Sequence, residues 1–226
     1  MNIKLLKVKA QTDYKSFSKR SGTFVKENDI HTIINYNCDA YDEQGEPLFF
    51  FRKNVIPANL CKTAYYALRT AATGTNNRGD AAGFHHPLEN TTIKGQRLES
   101  GKPQKRFTVV KKDGTLDSVA RAQHVKSGII GYFDRNVRFP YCRQTAWTEK
   151  NFPNYIKSKK YIQAISEQFK KASPDRFKAQ KKAIDRTHKD FKIENTVFTT
   201  VTVNKNFRTA IHVDAGDYEK GLGNIA

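Results

Sequence analysis

The chain has 226 residues and carries 40 Lys and Arg against 22 Asp and Glu, a formal charge of +18, with 38% hydrophobic and 12% aromatic residues. That apolar content is enough to close a core, so wholesale disorder is excluded, and the length suits one or two domains. No run approaches the roughly 18 apolar residues that span a bilayer, and MNIKLLKVKAQ lacks the apolar run of about 7 to 15 residues in a signal peptide, so no membrane partner and no secretion are expected.

Residues 31 to 55 read as a β-hairpin: HTIINYNCDAY and LFFFRKNVI flank the turn-forming DEQGEP. Residues 1–55 are expected to form a β-rich N-terminal extension ahead of a larger unit, 56–226. Pro57 opens a helix to about Ala72, with Leu60, Ala64, Leu68 and Ala71 on one face, and Gly74 is expected to end it. From Thr73 to about Gly114 the chain is rich in Gly, Asn and charged residues, including TGTNNRGDAAG, and reads as a loop where backbone can approach a ligand. The three cysteines, Cys38, Cys61 and Cys142, form no C-x-x-C pair and suit a reducing cytosol.

Two basic helices follow. Tyr161, Ile165 and Phe169 share a helical stripe, and after a break at Ser173-Pro174 a second helix carries Phe177, Ile184 and His188. Between Lys150 and Lys192 there are 13 Lys or Arg and four acids, so half of the net charge lies there. Lys157, Lys159, Lys160, Lys170, Lys171, Lys181 and Lys182 are candidates for gripping a DNA backbone through counterion release; the alternative is a lysine-rich face serving solubility. From Ile193 the period changes to two. NTVFTTVTVN reads as one strand, Asn204-Lys205-Asn206 as a turn, and FRTAIHVD as a second strand, giving an α+β chain whose β core comes after its helices.

Alternation in FRTAIHVD puts Phe207, Thr209, Ile211 and Val213 on one face and Arg208, Ala210, His212 and Asp214 on the other. An imidazole and a carboxylate two residues apart can reach one divalent first-row metal, and one more imidazole would complete a facial triad with three open positions. A surface His beside an Asp is the competing reading of the same triplet.

The run FTTVTVNKNFRTAIHVDAGDYEKGLGN, with SGIIGYFDR, FPYCRQTAWT and NNRGDAAG upstream, resembles the TET/JBP dioxygenases that modify nucleic acids, in particular their compact phage and protist members. The resemblance runs from about Ile56 to the last residue. It implies a double-stranded β-helix (jelly-roll, cupin-like) core preceded by helices, iron(II) and 2-oxoglutarate as cofactors, and hydroxylation of the 5-methyl group of thymine or 5-methylcytosine in DNA. Carried over by position, His212 and Asp214 look like iron ligands, Arg208 like a residue that binds 2-oxoglutarate, and Asp217 like a contact to the base. Asn77 and Arg78 lie where a base edge or phosphate can be reached, though a turn-forming Asn and a solvent-facing Arg fit the same residues. Asn204 reads first as a turn residue, and the Cys142-Arg143 pair has no assigned role.

Family members continue past the H-x-D hairpin to a second histidine, whereas here no histidine follows His212. The resemblance therefore implies a core incomplete in this chain, either as a fragment or as half of a split enzyme whose remaining strands come from a second polypeptide. Localisation would be cytoplasmic in a bacterial or phage-infected cell, or nuclear in a eukaryote. The competing functions are a non-catalytic basic DNA-binding protein and a cupin-like protein acting on a small molecule.

Overall fold

The computed structural model describes residues 2–9, 21–30, 32–83, 92–94, 106–110, 116–120, 124–135, 137, 139–214 and 218–226. The hairpin read from residues 31 to 55 is present as β2 (Cys38–Tyr41) and β3 (Pro47–Phe51), paired antiparallel, and β1 (Lys4–Lys7) adds to β2 in parallel. Its turn closes because the Asp42 carboxylate accepts from the backbone N–H of Gln44 and Glu46 at 2.9 and 2.8 Å.

Helix α1 (Ala58–Leu68) follows Pro57 and buries Ala64, Ala67 and Leu68. It stops at Leu68 rather than at Gly74, because the chain turns there, with Ala71 N–H donating to Leu68 O at 2.8 Å, to enter β4 (Thr73–Thr75). The segment that read as a loop thus contains a strand. It also holds a 3-10 turn at Gly79–Ala82 and, further on, β5 (Thr92–Lys94) and β6 (Arg106–Val110), which join β7 (Leu116–Ala120) in a separate antiparallel sheet. Strands this short, set among Gly and charge, leave no readable alternation.

The central strand is β8 (Val125–Phe133), antiparallel both to β4 and to β10 (Thr200–Lys205), while β9 (Arg143–Gln144) pairs with its far end. Close approach on both sides of β8 depends on glycine. A Cβ on Gly128 would lie 1.9 Å from the Ala71 carbonyl oxygen, and Gly131, at φ +94°, would bring one within 2.4 Å of Thr199 O.

Helix α2 (Ala146–Lys150) packs on β8, α3 (Phe152–Ala172) joins one face of this sheet through Tyr155 and Ile162 and packs on α1, and α4 (Pro174–Ile184) packs on α3. Thr145 caps α2 by accepting from Thr148 N–H at 3.3 Å. The break at Ser173-Pro174 stands as read. The buried stripe of α3 is rotated from the expected one: Tyr155, Ser158, Ile162, Ser166 and Phe169 are buried, while Tyr161 and Ile165 flank it half-covered. Serines can serve as inward residues because α3 packs on α1, whose face is mostly alanine, and because Ser158 Oγ donates back to Tyr155 O at 2.7 Å. The core joins Ala64, Ala67, Leu68, Ala71, Ile130, Tyr132, Tyr155, Ile162 and Ile193; a smaller cluster holds Phe169, Ile184 and Val197. Beyond α4, His188 lies outside the helix, at the start of a 3-10 turn.

The chain is therefore a mixed α and β fold with three open sheets, and no closed barrel forms among the described residues. No described helix is long and apolar enough to cross a membrane. Contacts cross the expected boundary at residue 55: Arg176 pairs with Glu46 at 3.2 Å, and backbone bonds join residues 22 and 23 to Ile211.

Candidate metal and substrate site

Period two sends Gly128, Ile130 and Tyr132 of β8 toward the helices, leaving Ser127 and Ile129 on the opposite face, in register with Asn204 and Thr202 of β10. On that face Ser127 is buried and hydrogen-bonded on two sides. Arg78, in the turn after β4, donates from Nε to Ser127 Oγ at 2.6 Å, and Ser127 Oγ donates to Asn204 Oδ1 at 2.6 Å. The Nη2 of Arg78 is buried with no hydrogen-bond partner among the described residues. Burial lowers the affinity of this guanidinium for its proton, and the Asp214 carboxylate, acting through space, opposes that effect. Asn77 is exposed, and its backbone N–H donates to Thr75 Oγ1 at 3.1 Å within the turn.

Residues 207–214 do not form the expected second strand of a hairpin with β10. The partner of β10 is β8, and Asn206, at φ +48°, turns the chain away from the ladder instead of folding it back. The two-faced alternation fails with it: Ala210 is buried and Val213 is 59% exposed. The segment is held by other parts of the molecule. Ala210 N–H donates to Ala81 O at 2.9 Å; Ile211 N–H donates to Thr23 O at 2.9 Å; and Gly22 N–H donates to Ile211 O at 2.7 Å. The Arg208 guanidinium donates to Val25 O and lies over the Phe24 ring, 5.1 Å from its centroid. Ser21 Oγ donates to Asp80 Oδ2 at 2.6 Å and ties the same stretch to the 3-10 turn.

His212 and Asp214 are brought together. The Nδ1 of His212 lies 2.8 Å from Ala210 O, and because a carbonyl only accepts, Nδ1 is the donor; in the neutral imidazole this tautomer leaves the lone pair on Nε2. That Nε2 is 3.5 Å from Asp214 Oδ1. Two donors about 2.1 Å from one cation are about 3.0 Å apart at a right angle and about 3.4 Å at the tetrahedral angle, so a small closure seats both on one ion. A backbone acceptor behind the imidazole is the usual outer-shell arrangement of a ligating histidine. The His212 side chain is 24% exposed and that of Asp214 67%, so the pair opens to solvent on the carboxylate side. Among the described residues no third His, Cys, Asp or Glu joins them. Asp217 lies outside the described residues.

The lysines read as DNA contacts all sit on α3 and α4. Lys157, Lys160, Lys170, Lys171, Lys181 and Lys182 are exposed, while Lys159 is half-covered, 3.0 Å from Glu194. Lys181 binds Asp185 at 2.6 Å, which holds that carboxyl below its ordinary range. The Cys142-Arg143 pair has a packing role: the Arg143 guanidinium lies 4.1 and 4.9 Å from the Phe139 and Phe133 centroids, and Cys142 Sγ donates to Asp134 at 3.4 Å.

Sequence reasoning missed Ser127 and residues 21–25. Ser127 faces away from the helices beside Lys126 in a strand that is otherwise mostly apolar, a position alternation leaves unmarked, and residues 21–25 carry no pattern at all. Asn204 is a strand residue with a partner, with the turn displaced to Asn206.

Comparison with known proteins bears on the same segment. Residues 128–226 match the model of the Tet_JBP family, described as the oxygenase domain of the 2OGFeDO superfamily. The chain is 28% identical over 217 residues to the bifunctional helicase and thymine dioxygenase JBP2 of Trypanosoma cruzi, covering 89% of this chain and 16% of that protein. It is 39% identical over 207 residues to the thymine dioxygenase JBP1-A of the same organism, covering 88% of this chain and 20% of the relative. A match of 38% over 99 residues to JBP2 of Trypanosoma brucei brucei covers 42% of the chain and 9% of that protein. The chain thus spans a fifth or less of the length of these relatives. No solved structure matches it.

Proposed function

We propose that the chain, whose residues 128–226 match the model of the Tet_JBP family, the oxygenase domain of the 2OGFeDO superfamily, is an iron(II)- and 2-oxoglutarate-dependent dioxygenase that hydroxylates the 5-methyl group of thymine in DNA. The observation that carries this reading is the His212–Asp214 pair: one imidazole lone pair, its tautomer set by the Ala210 carbonyl, 3.5 Å from a carboxylate oxygen. Thymine is preferred to 5-methylcytosine because the relatives are named thymine dioxygenases. The jelly-roll core of this superfamily is part of the same proposal.

The donor set fits the group. His212 Nε2 and Asp214 Oδ1 would hold the iron, and the buried Arg78 Nη2 is a guanidinium donor without a partner among the described residues, suited to a carboxylate or phosphate oxygen. Arg208 is already bonded to Val25 O, which favours a structural role over the cofactor contact read from its position. The chemistry supplied by iron(II) and 2-oxoglutarate when bound is insertion of one oxygen atom of dioxygen into the methyl C–H bond, coupled to decarboxylation of the 2-oxoacid to succinate. The chain's own part is to engage Nδ1 so that Nε2 is the ligating nitrogen of the neutral imidazole, to aim the carboxylate at it, and to offer a donor to an oxyanion. The exposed side of Asp214 leaves room for a further donor, and a second polypeptide bearing an imidazole would supply it.

A methyl group stacked in a duplex cannot reach this pair, so the nucleotide must be flipped out or unpaired, at a cost of a few kcal/mol. Phosphate contacts from Lys157, Lys160, Lys170, Lys171 and Lys182 would offset that cost, with Lys159 and Lys181 contributing less because each already has a carboxylate partner. DNA as substrate puts the protein in a eukaryotic nucleus or in the cytoplasm of a bacterial or phage-infected cell.

The test is incubation of the chain with iron(II), 2-oxoglutarate, air and thymine-containing DNA, with mass spectrometry of the released nucleosides and assay of succinate. Hydroxymethyluracil nucleoside that vanishes in His212→Ala supports the reading. Tight, salt-sensitive DNA binding without iron uptake or succinate would overturn it in favour of a non-catalytic DNA-binding protein.

A further inference from the structure

Arg78, Ser127 and Asn204 come from three different places in the sequence and meet on the open face of the β4–β8–β10 sheet. Ser127 lies between Thr73 of β4 and Asn204 of β10 in the strand register, so its hydroxyl is at the centre of that face. A serine hydroxyl has one proton. Asn204 Oδ1 can only accept, so the proton goes to Asn204, and the oxygen lone pair is left to accept Arg78 Nε–H; both bonds are 2.6 Å. The order of donors is therefore fixed from Arg78 through Ser127 to Asn204.

The consequence for the guanidinium is orientation. With Nε engaged by the sheet, the guanidinium plane is restrained at the edge that Nε shares with Nη2. Nη2 is buried and has no hydrogen-bond partner among the described residues, close enough to Asp214 to feel its charge. A planar guanidinium recognises a carboxylate or phosphate well only when its plane is set in advance, because its donors are fixed relative to one another.

We propose that Ser127 and Asn204 are positioning residues, which act through Arg78 by holding its guanidinium plane so that the Nη2 side meets an oxyanion of the bound ligand. The inference rests on the function proposed above only for what that oxyanion is: a carboxylate of 2-oxoglutarate or a phosphate of the DNA. The relay itself is a property of the unliganded chain and can be read there.

The experiment has a ligand-free part and two binding arms. In proton–nitrogen spectra of the free chain, Arg78 Nε–H gives a slowly exchanging signal that is lost in Ser127→Ala, is weakened in Asn204→Ala, and persists in Ser127→Thr, which keeps the hydroxyl on a residue suited to a strand. The arms are calorimetric titration of 2-oxoglutarate with iron(II) under argon, and anisotropy titration of a thymine-containing duplex at fixed salt. Ser127→Ala weakens one of them by about tenfold, as expected for loss of an outer-shell partner; Ser127→Thr restores it; Arg78→Ala weakens it more. The arm that responds identifies the oxyanion.

An Nε–H signal unchanged in Ser127→Ala, or an affinity that Arg78→Ala lowers and Ser127→Ala does not, overturns the relay and leaves the Arg78 contact standing. Arg78→Ala with both affinities intact removes the contact and the relay together, while the His212–Asp214 reading survives. A parent chain that binds neither probe overturns this inference, whereas the proposed function is judged by the hydroxymethyluracil assay.

Discussion

The β8–β10 ribbon and the segment 207–214 are separated by a single residue, Asn206, yet they are held in opposite ways. The ribbon is a ladder, six residues of β10 in register with β8 and β4 on the far side, with its inner face packed on α1 and α3. The ligand segment has no ladder with β10; its bonds go to Ala81, to Gly22 and Thr23, and to Val25. The stable element carries the shape of the site, whereas the side chains that would touch a metal ride on a stretch held by a few long-range bonds. The ligand segment, β10 and most of β8 fall within the family match at 128–226, but the start of β8 at 125–127 and residues 21–25, which hold the ligand segment, do not. Segments of this kind lie at the low-stability end of a fold, where opening is local.

The sharpest way to break the ribbon is Gly128→Ala. The added methyl would sit 1.9 Å from the Ala71 carbonyl oxygen, and a backbone atom in the turn between α1 and β4 cannot swing aside as a side chain would. Overpacking of this kind, in a core element with no room to relax, costs about 3 kcal/mol. Urea denaturation should show that loss, with every site function lost alongside the fold. A variant as stable as the parent would mean that the turn at Ala71 and β8 are not in contact there.

Gly22→Pro addresses the other region. Gly22 sits at φ +79° and donates to Ile211 O, and proline permits neither, since its ring locks φ near −65° and it has no N–H. Global stability should fall by about 1 to 2 kcal/mol. Cation affinity should fall further than that loss implies, about tenfold, as His212 loses its anchored neighbour. Hydrogen exchange decides the matter: residues 207–214 should exchange faster while β8 stays protected, and equal loss of protection in both would erase the distinction between them.

The same contrast explains what was legible in the sequence. The hairpin at Cys38–Phe51, helix α1 and the two helices parted at Ser173-Pro174 were readable because turn chemistry, proline and helical period act locally. The His212–Asp214 pairing was readable as a spacing, but its strand was not: FRTAIHVD alternates in the same way whether its backbone pairs with β10 or with residues scattered through the chain. Arg78, Ser127 and Asn204 form a unit only through strand register, which no local pattern encodes. The serines of the α3 stripe read as polar and turned out buried because the facing helix is mostly alanine at the contact.

A pH titration probes the ribbon side alone. Tyr155 is fully buried under β8, edge-on to Tyr132 with ring centroids 6.1 Å apart, and burial pushes its hydroxyl pKa well above the ordinary value. A folded-state pKa above the unfolded one means that the native chain holds its proton longer, so this contribution is complete below about pH 10 and is lost as the pH rises beyond it, by at most about 1.4 kcal/mol per pH unit for one proton. Tyr155→Phe should flatten the fall in stability above that pH. An unchanged slope would assign the alkaline loss to other groups.

Arg208→Ala has the smallest expected effect and separates two roles for one residue. If Arg208 contacts 2-oxoglutarate, as its position in the family pattern implies, the substitution lowers affinity for the 2-oxoacid and leaves the free chain unaltered. Its bond to Val25 O and its place over Phe24 argue for the other outcome, because a guanidinium spent on a carbonyl and a ring has its planar face and one donor already committed. The free chain should then lose about 1 kcal/mol, with faster exchange at residues 23–25 before any ligand is added. Affinity for the 2-oxoacid should change only through that loosening, so restoring the contact with Arg208→Lys, which keeps the charge but not the stacking plane, should recover little. A full recovery with lysine would show that charge alone is needed and would return Arg208 to the cofactor.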